Sequence, residues 1–483
     1  MNRSYALDAL RGYAILTMIL SATIVYGILP GWMYHAQTPP PHHIFNPDLP
    51  GLTWVDLVFP FFLFSMGAAF PFSIRRKIEK GETKLNAIYE GFKRYFQLVF
   101  FAIFTYHLAP WALNTSDSST AYWLGLLAFA LLFPMYMRIP LQISSWLRTI
   151  VKSVAFLMAL GLMIWVGHKG YCAFNPHFED IIILIMAHMA GFGTLIYTLT
   201  MHRPTIRLLI LPFLMAIFMA SDVSGSVNAA IYNYAPLSWI NAEGSTKYFI
   251  PLDWLFRFEY LKYLFIIIPG SIAGEYLKQS IDNPTKEINT ESKFGRIIPL
   301  YTVLIGVLII IINLCCLYNR YLFVNLCTNA LLLFIGYLIL KNKTGTSIDL
   351  WKKLFTGGAY LILLGLAFEA YLGGIKKDPT TFSYLFLTAG LAFMALMALN
   401  IICDYWQCNR STSFLVMSGQ NPMIAYVANG LLIVPILSLL HIMPYFSVFS
   451  TNPWMGFLQG LIFTSLALVV TVFFTKIRWL WRT

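Results

Sequence analysis

Long apolar runs, separated by polar turns, recur along the whole chain. Most runs contain about 20 residues, enough to cross about 30 Å of hydrocarbon at about 1.5 Å per helical residue. At that length only an α-helix satisfies its own backbone groups, so the pattern predicts an all-α, polytopic transmembrane helical bundle of about 12 to 14 helices. The predicted spans lie near residues 13–30, 54–73, 95–113, 121–137, 150–167, 181–199, 206–221, 255–277, 297–317, 322–340, 355–374, 383–403, 417–440 and 454–475.

The composition supports this interpretation. Hydrophobic residues make up 58% of the 483 residues and charged residues only 11%, whereas a soluble globular domain carries about 25% charged residues. The excess of apolar side chains has to face lipid. No low-complexity tract, strong internal repeat or linker interrupts the pattern, so we expect one transmembrane domain over residues 1–483.

The formal net charge is +12, but the basic residues form no patch with interleaved aromatic residues, so nucleic acid is not an expected partner. With a cytoplasmic N-terminus, alternate threading of the spans puts most of the 33 Lys and Arg residues inside, as the positive-inside rule requires. Both termini are then cytoplasmic. The first run lacks a small-residue cleavage site and is predicted to be a retained span. These features fit a multi-pass protein of a bacterial inner membrane, surrounded by membrane lipid.

The six cysteines show neither C-x-x-C spacing nor the pattern of a disulfide scaffold, so we interpret them as packing residues. They are Cys172, Cys315, Cys316, Cys327, Cys403 and Cys408.

The loop predicted to follow the first span on the outer face carries His35, His42 and His43. An imidazole can accept or donate a proton near neutral pH or act as a nucleophile, although a single loop histidine is more often simply solvated. Asp56 lies about one turn into the next span, where an unpaired carboxylate costs several kcal/mol. We therefore expect it to face the bundle interior and to orient a loop histidine; the alternative is a helix N-cap.

Other polar groups also need an interpretation. Asp8 and Arg11 are three residues apart at the start of the first helix, where they either pair or serve as a capping acid and a basic anchor. A second cluster of predicted substrate-binding residues comprises Asp253, Arg257 and Glu259, beside Lys262. These residues form either an outer pocket for a polar acceptor or a self-neutralising ladder in which Asp253 pairs with Arg257.

Lys376 and Lys377 fall on the predicted outer face and so break the positive-inside pattern. This exception favours a role in a site, such as binding an anionic part of a substrate.

Several blocks of sequence resemble heparan-alpha-glucosaminide N-acetyltransferase and its bacterial relatives. The resemblance covers about the first 80 residues and residues 370–440, and is faint between them. The first block is Asp8, Arg11 and Gly12, the histidine loop, Gly51-Leu52-Thr53, Asp56-Leu57-Val58-Phe59-Pro60-Phe61-Phe62 and Met66-Gly67. The later blocks are Lys376-Lys377-Asp378-Pro379, Ser383-Tyr384, Leu387-Thr388 and Gly419-Gln420-Asn421-Pro422-Met423-Ile424-Ala425-Tyr426-Val427.

The resemblance implies a transmembrane acyltransferase that moves an acetyl group from cytoplasmic acetyl-CoA to an amino sugar or oligosaccharide acceptor on the outer face. It implies a catalytic histidine on the first outer loop. That residue is either His35, which follows aromatic residues as in the family, or His43, which is nearer to Asp56 along the chain. Asp56 carries over as its partner. No metal is expected, and a homodimer is possible.

For the CoA thioester, the resemblance and the basic character of the inner face suggest a set of binding residues near the cytoplasm. The predicted CoA-binding residues are Asp8, Arg11, Arg75 and Asn421.

Two other interpretations remain open at this point. A related O-acyltransferase that modifies a surface polysaccharide or a lipid-linked sugar would show a similar acid, arginine and histidine pattern. A transporter or flippase would need discontinuous helices with paired charges near the bilayer midplane. Pro269-Gly270 does interrupt one span, but the sequence shows no inverted repeats.

Overall fold

A computed structural model describes residues 4–137, 144–234, 238–240, 246–248, 252–283 and 293–481. Among these residues, ten helices are long and apolar enough to cross a membrane. The predicted class, an all-α polytopic helical bundle, is confirmed. The four other predicted spans correspond to helices Tyr5–Thr23, Lys84–His107, Pro204–Met219 and Leu264–Asp282. The chain is thus an integral, multi-pass membrane protein.

The chain forms two compact units, and neither is a continuous stretch of sequence. Unit 1 comprises Met1–Phe72, Pro269–Tyr426 and Pro444–Thr475, and unit 2 comprises Ser73–Ile268, Val427–Met443 and Lys476–Thr483.

Unit 1 is built around two helices that are buried on nearly all sides, α2 and α14. Every residue of α2 from Val55 to Ala68 is buried, as expected for a helix that is apolar all round. The helix α1 packs on α2, α14 and α15, and α14 packs on α13 and α11. The α-helices with all or most of their residues in unit 1 are α1 Tyr5–Thr23, α2 Trp54–Ala68, α10 Leu264–Asp282, α11 Lys293–Tyr318, α12 Leu322–Lys341, α13 Thr346–Ala367, α14 Phe382–Leu399, α15 Asn409–Gln420, α16 Pro422–Ala428 and α18 Pro453–Lys476.

The first helix begins at Tyr5, earlier than the apolar pattern predicts, because its first turns are stabilised by polar contacts. Ser4 caps the helix by accepting a hydrogen bond from the Leu7 N–H. Asp404, from a π-helical turn after α14, accepts the Tyr5 N–H at 2.9 Å and the Ser4 hydroxyl at 3.1 Å. These contacts anchor the start of α1, so the charged residues Asp8 and Arg11 lie within the helix and not ahead of it.

Glycines allow two pairs of helices in unit 1 to approach backbone to backbone. A Cβ on Gly12 of α1 would lie 1.8 Å from the Leu415 carbonyl oxygen of α15, and one on Gly419 would lie 1.9 Å from that of Asp8. On α10, Gly270 and Gly274 face the backbone of α2 in the same way. Such small-residue contacts are the usual basis of close helix packing in membranes.

Three buried asparagines join α11 to α12. Asn313 donates to Asn329 Oδ1 at 2.8 Å, and Asn325 donates to Asn313 Oδ1 at 3.1 Å. All three side chains are fully buried. Because each amide bonds to another, the hairpin buries polar groups without leaving them unpaired.

Unit 2 contains the remaining α-helices, with α4 packed on α7, and α5 packed on α6 and α17. The Tyr136 hydroxyl of α5 donates to the Gln97 carbonyl of α4 at 2.7 Å. The helices are α3 Arg76–Glu79, α4 Lys84–His107, α5 Ser118–Tyr136, α6 Ser145–His168, α7 Ile181–Leu199, α8 Pro204–Met219, α9 Val227–Tyr232 and α17 Val434–Leu439.

Short elements connect the long helices of both units. An antiparallel strand pair, β1 Ser238–Ile240 and β2 Thr246–Tyr248, lies in unit 2. The 3-10 segments are Gly31–Met33, Pro110–Ala112, Phe258–Tyr263, Tyr371–Gly373 and Met443–Ser450. The π-helical turns are Pro71–Arg75, Asn400–Tyr405 and Asn429–Ile433. All six cysteines are free.

Candidate functional site

The Asp56 carboxylate is fixed at the start of α2. Thr53 is the residue before the helix, and its backbone N–H donates to Asp56 Oδ2 at 3.0 Å. The Ala36 N–H, from the preceding loop, donates to the same oxygen at 3.2 Å. The side chain is only 3% exposed. Asp56 is the third residue of α2 and completes a capping box with Thr53, which occupies the N-cap position that the alternative interpretation gave to Asp56. The same carboxylate also anchors the loop before the helix.

The other carboxylate oxygen of Asp56 binds His35. The His35 Nδ1 lies 2.8 Å from Asp56 Oδ1. An ionised carboxylate only accepts hydrogen bonds, so Nδ1 carries the proton of this contact and the neutral ring has its lone pair on Nε2. The His35 side chain is 41% exposed. The structure thus gives His35 the buried acidic partner that the sequence predicts, and leaves part of the side chain exposed.

His43, the other candidate, has a different environment. Its ring is buried against Tyr34 and Tyr26, with centroid distances of 4.6 and 4.8 Å. Its Nδ1 lies 3.0 Å from the Thr38 carbonyl oxygen, to which it donates. The contacts of His43 are those of a residue that holds the loop together, and the acidic partner belongs to His35.

Lys377 joins this pair from the loop between α13 and α14. Its Nζ lies 3.3 Å from His35 Nδ1 and 3.4 Å from Nε2. The residue is half-buried, and this burial lowers the pKa of Lys377 below its ordinary value, while the Asp56 and Asp378 carboxylates oppose that shift. An acid, an imidazole and an amine therefore lie in contact in unit 1.

Gln37 clamps the two loops that carry His35 and Lys377. Its amide oxygen accepts the Asp378 N–H at 3.0 Å, and its amide nitrogen donates to the Asp378 carbonyl oxygen. A second link is the hydrogen bond from the Gly51 N–H to the Ile375 carbonyl at 2.9 Å. On α14, the Tyr384 hydroxyl donates to the Asp56 carbonyl at 2.7 Å. Hydrogen bonds to backbone groups thus hold the two loops together close to the site.

Lys376 points elsewhere. Its Nζ lies 3.9 Å from the carboxylate of Asp48, whose side chain is 93% exposed. At the start of the same loop, Glu369 pairs with Arg320 at 2.6 Å. Of the two predicted substrate-binding lysines, only Lys377 contacts His35 among the hydrogen bonds of the described residues.

Comparison with known protein families matches the N-terminal part of the chain. A family model described as a domain of unknown function (DUF5009) matches residues 3–277, more than half of the sequence. The chain belongs to the DUF5009 family. No curated protein matches it.

The DUF5009 match includes the loop and helix that carry His35, His43 and Asp56. It ends before the loop that carries Lys376 and Lys377, and before Asn421. The site described above is therefore formed from the matched region together with a later part of the chain.

Two of the predicted CoA-binding residues, Asp8 and Arg11, pair on α1, and Arg11 also joins α1 to the other end of α2 and to α15. Arg11 lies 3.7 Å from Asp8 and donates to the Ser65 carbonyl at 3.3 Å and to the Gly419 carbonyl at 3.4 Å. The Arg11 side chain is 19% exposed. Backbone carbonyls accept hydrogen bonds from the Arg11 guanidinium, so an anionic ligand could reach it only at its exposed part.

The other two predicted CoA-binding residues differ in exposure. Asn421 is fully buried just after α15. Arg75, in unit 2, pairs with Glu79 at 2.7 Å on the surface. Part of the Arg75 side chain thus remains exposed to solvent, whereas none of Asn421 does.

The second predicted cluster lies in unit 2. Arg257 donates through Nε to the backbone carbonyl of Asp253 at 3.3 Å, not to its carboxylate, because residues 253–257 form a turn and not a helix. The Arg257 N–H donates to His188 Nε2 at 3.3 Å. Glu259 pairs with Lys262 at 3.5 Å. The predicted side-chain pairing of Asp253 with Arg257 along one helical face is therefore wrong in its geometry.

Sequence reasoning missed Glu179 and Gln37. Burial raises the pKa of Glu179 to about 7, although the Arg257 guanidinium opposes this rise. Neither residue lies in a recognisable motif, and the partners of Gln37 are backbone groups, which no side-chain pattern reveals. Within the described ranges, no group of three or more His, Cys, Asp or Glu residues is placed to hold a metal ion.

Proposed function

We propose that this protein is a transmembrane acetyltransferase, which moves an acetyl group from cytoplasmic acetyl-CoA to an amino sugar at the end of a glycan on the outer face of the membrane. The observation that carries the proposal is the 2.8 Å contact between His35 Nδ1 and a buried Asp56 carboxylate. A carboxylate in this position orients an imidazole and stabilises its charged form during reaction. The resemblance of the two sequence blocks supplies the substrate class.

The chemistry assigned to His35 is proton transfer at Nε2. It takes the proton of the acceptor amine as the amine nitrogen attacks the carbonyl carbon of the thioester. The C–S bond then breaks, the sulfur leaves with the bonding pair, and the His35 imidazolium returns the proton to the sulfur. The products are an acetamide and free CoA.

A second route uses the same atom as a nucleophile. Nε2 forms a bond to the acetyl carbon in place of the sulfur, and the acceptor nitrogen then replaces Nε2. The acceptor loses one proton and CoA gains one in both routes. The two routes differ in one observable, a labelled protein when the acceptor is left out.

The position of the site fits delivery of an acyl group along unit 1. Asp56 and Ser65 are nine residues apart on α2, which corresponds to about 14 Å along the helix axis at about 1.5 Å per residue. Arg11 contacts Ser65. A substrate whose anionic end is held near Arg11 therefore needs a long, thin acyl carrier to reach His35, and a pantetheine arm has that form.

The proposed setting is a bacterial inner membrane with the His35 loop on the outer face. CoA stays in the cytoplasm and the glycan outside, so the protein moves the acyl group and not the nucleotide. This placement rests on the distribution of Lys and Arg over the predicted turns.

The test is acetyl transfer by the purified protein in lipid nanodiscs, from labelled acetyl-CoA to saccharides that end in glucosamine. The wild-type protein is expected to label the saccharide, and His35→Ala is expected to abolish the labelling. Retention of full activity by His35→Ala would overturn the assigned site. Labelling of hydroxyl acceptors and not of amines would establish the O-acyltransferase alternative instead.

A further inference from the structure

Lys377 contacts His35, although the pairing of His35 with Asp56 does not require a lysine there. Its Nζ lies within 3.4 Å of both ring nitrogens of His35, although 342 residues separate the two along the chain. Further hydrogen bonds hold the loop that carries Lys377 in place. The Gln37 clamp holds the next residue, Asp378, by both its N–H and its carbonyl, and the hydroxyl of Thr381 bonds to the backbone of Lys376.

This position has a geometric consequence for acyl transfer, so the inference rests on the proposed function. In the covalent route Nε2 attacks the carbonyl carbon, and in the direct route the attacking atom is an amine nitrogen that is hydrogen-bonded to Nε2. The carbonyl carbon has to approach the attacking nitrogen to about 3–3.5 Å. The carbonyl oxygen is then close to Nε2 as well. A hydrogen-bond donor 3.4 Å from Nε2 is therefore within reach of an oxygen that needs donors at about 2.7–3.1 Å.

We propose that the Lys377 ammonium binds the oxyanion that forms when the thioester carbonyl is attacked. During attack the π electrons of the C=O bond move to the oxygen, which becomes negatively charged. Lys377 donates a hydrogen bond to this oxygen and keeps its own proton. When the C–S bond breaks, the electron pair returns from the oxygen to restore the C=O bond, and the ammonium returns to the His35 ring.

The charges around Lys377 suit this role. The Asp56 and Asp378 carboxylates favour its ammonium form and oppose the effect of burial on its pKa. Lys376, the adjacent cation, is directed at Asp48. Lys377 is thus the cation that contacts the reacting imidazole in the described part of the chain.

The experiment compares steady-state acetyl transfer by wild type, Lys377→Met, Lys377→Arg and Lys376→Met. Methionine preserves the length of the side chain and removes its charge. Loss of one oxyanion donor costs about 10²- to 10³-fold in kcat, and we expect Lys377→Met to lose kcat by that factor with KM changed by only a few fold. Lys377→Arg keeps a cation and is expected to restore at least a tenth of the wild-type kcat.

Lys376→Met is the comparison for loss of a neighbouring charge on the same loop, and we expect it to lower kcat much less than Lys377→Met does. Calorimetric binding of acetyl-CoA, together with elution as a single peak in detergent, reports whether each variant is folded. If Lys377→Met proves unfolded, Lys377→Arg is compared with Lys377→Gln, which lacks the positive charge. We expect a higher kcat for Lys377→Arg, and equal kcat values would count against the proposal.

The outcomes separate the two proposals. If wild type transfers acetyl groups and His35→Ala does not, but Lys377→Met keeps more than half of the wild-type kcat, the oxyanion role is wrong and the proposed function stands. Equal losses of kcat for Lys377→Met and Lys376→Met would also overturn the specific role of Lys377. If wild type binds no acetyl-CoA and transfers nothing, the proposed function fails, and the role of Lys377 fails with it.

Discussion

Asp56→Asn is the substitution whose effect follows most directly from the geometry. Asp56 Oδ2 receives two backbone N–H groups, from Thr53 at 3.0 Å and from Ala36 at 3.2 Å. An amide NH₂ at the position of Oδ2 would face two N–H donors and could accept neither hydrogen bond. The side-chain oxygen of the asparagine therefore has to take the position of Oδ2. The NH₂ group then faces His35 Nδ1, which becomes an acceptor, and the ring proton moves to Nε2.

A proton on Nε2 removes the lone pair that both proposed routes require. In hydrolases with an Asp-His pair, the same exchange of carboxylate for amide costs about 10⁴-fold in kcat through the wrong tautomer. We expect a loss of about 10³- to 10⁴-fold here, which corresponds to about 4–5.5 kcal/mol of activation free energy. The fold should persist, because the amide keeps the volume of the carboxylate and both backbone hydrogen bonds.

The assay is transfer of label from acetyl-CoA to a glucosamine-ended saccharide, with kcat compared between wild type and variant. Asp117→Asn is the control, because Asp117 is likewise an acid at the start of a helix, as the N-cap of α5, and accepts the Ser119 N–H at 3.1 Å. Asparagine caps about as well as aspartate, so this variant should keep its activity. If Asp56→Asn retained more than a tenth of the wild-type kcat, the tautomer argument would be refuted.

Three other outcomes follow from contacts described above. His43→Ala removes the ring that packs on two tyrosines, so it should lower the melting temperature in detergent and reduce kcat far less than His35→Ala; equal losses of kcat would favour His43 as the catalytic residue. Gly12→Ala places a Cβ 1.8 Å from a carbonyl oxygen and should lower the free energy of unfolding by about 1–3 kcal/mol or more. A Cβ on Gly161 meets no atom within 4 Å, so Gly161→Ala should not destabilise the protein. A thermal shift assay compares the two variants. The pKa of Lys377 is lowered by burial, so kcat should fall on the alkaline side at a lower pH than an exposed lysine would cause, and Lys377→Arg should move that fall to higher pH. An unchanged alkaline limb in Lys377→Arg would show that another group titrates there.

The sequence predicts the membrane architecture well because lipid imposes a simple requirement, long apolar segments with internally paired backbones. It also predicts a histidine partner for Asp56, since a lone carboxylate in an apolar span is costly, and the structure places His35 there. The start of α1 was harder to predict. Its polar first turns are held by Asp404, a residue about 400 positions later, and no local pattern carries that information.

The same limit applies to the site. The spacing along the chain does not reveal that Lys377 reaches His35, because the contact depends on how α13 and α14 pack in unit 1. The pairing predicted for Asp253 and Arg257 failed for a related reason. It assumed a helix across residues 253–257, where the chain forms a turn, and so the guanidinium reaches a backbone carbonyl.

The Gln37 clamp has a consequence for biosynthesis. Its two bonds join positions 341 residues apart, so a ribosome must deliver most of the polypeptide before the amine can meet the imidazole. A nascent chain that has inserted only its early helices carries the acid and the histidine without the third group. For the proposed acetyltransferase, we therefore expect activity only after the chain has been made beyond Asp378, and incomplete products of translation should be inactive.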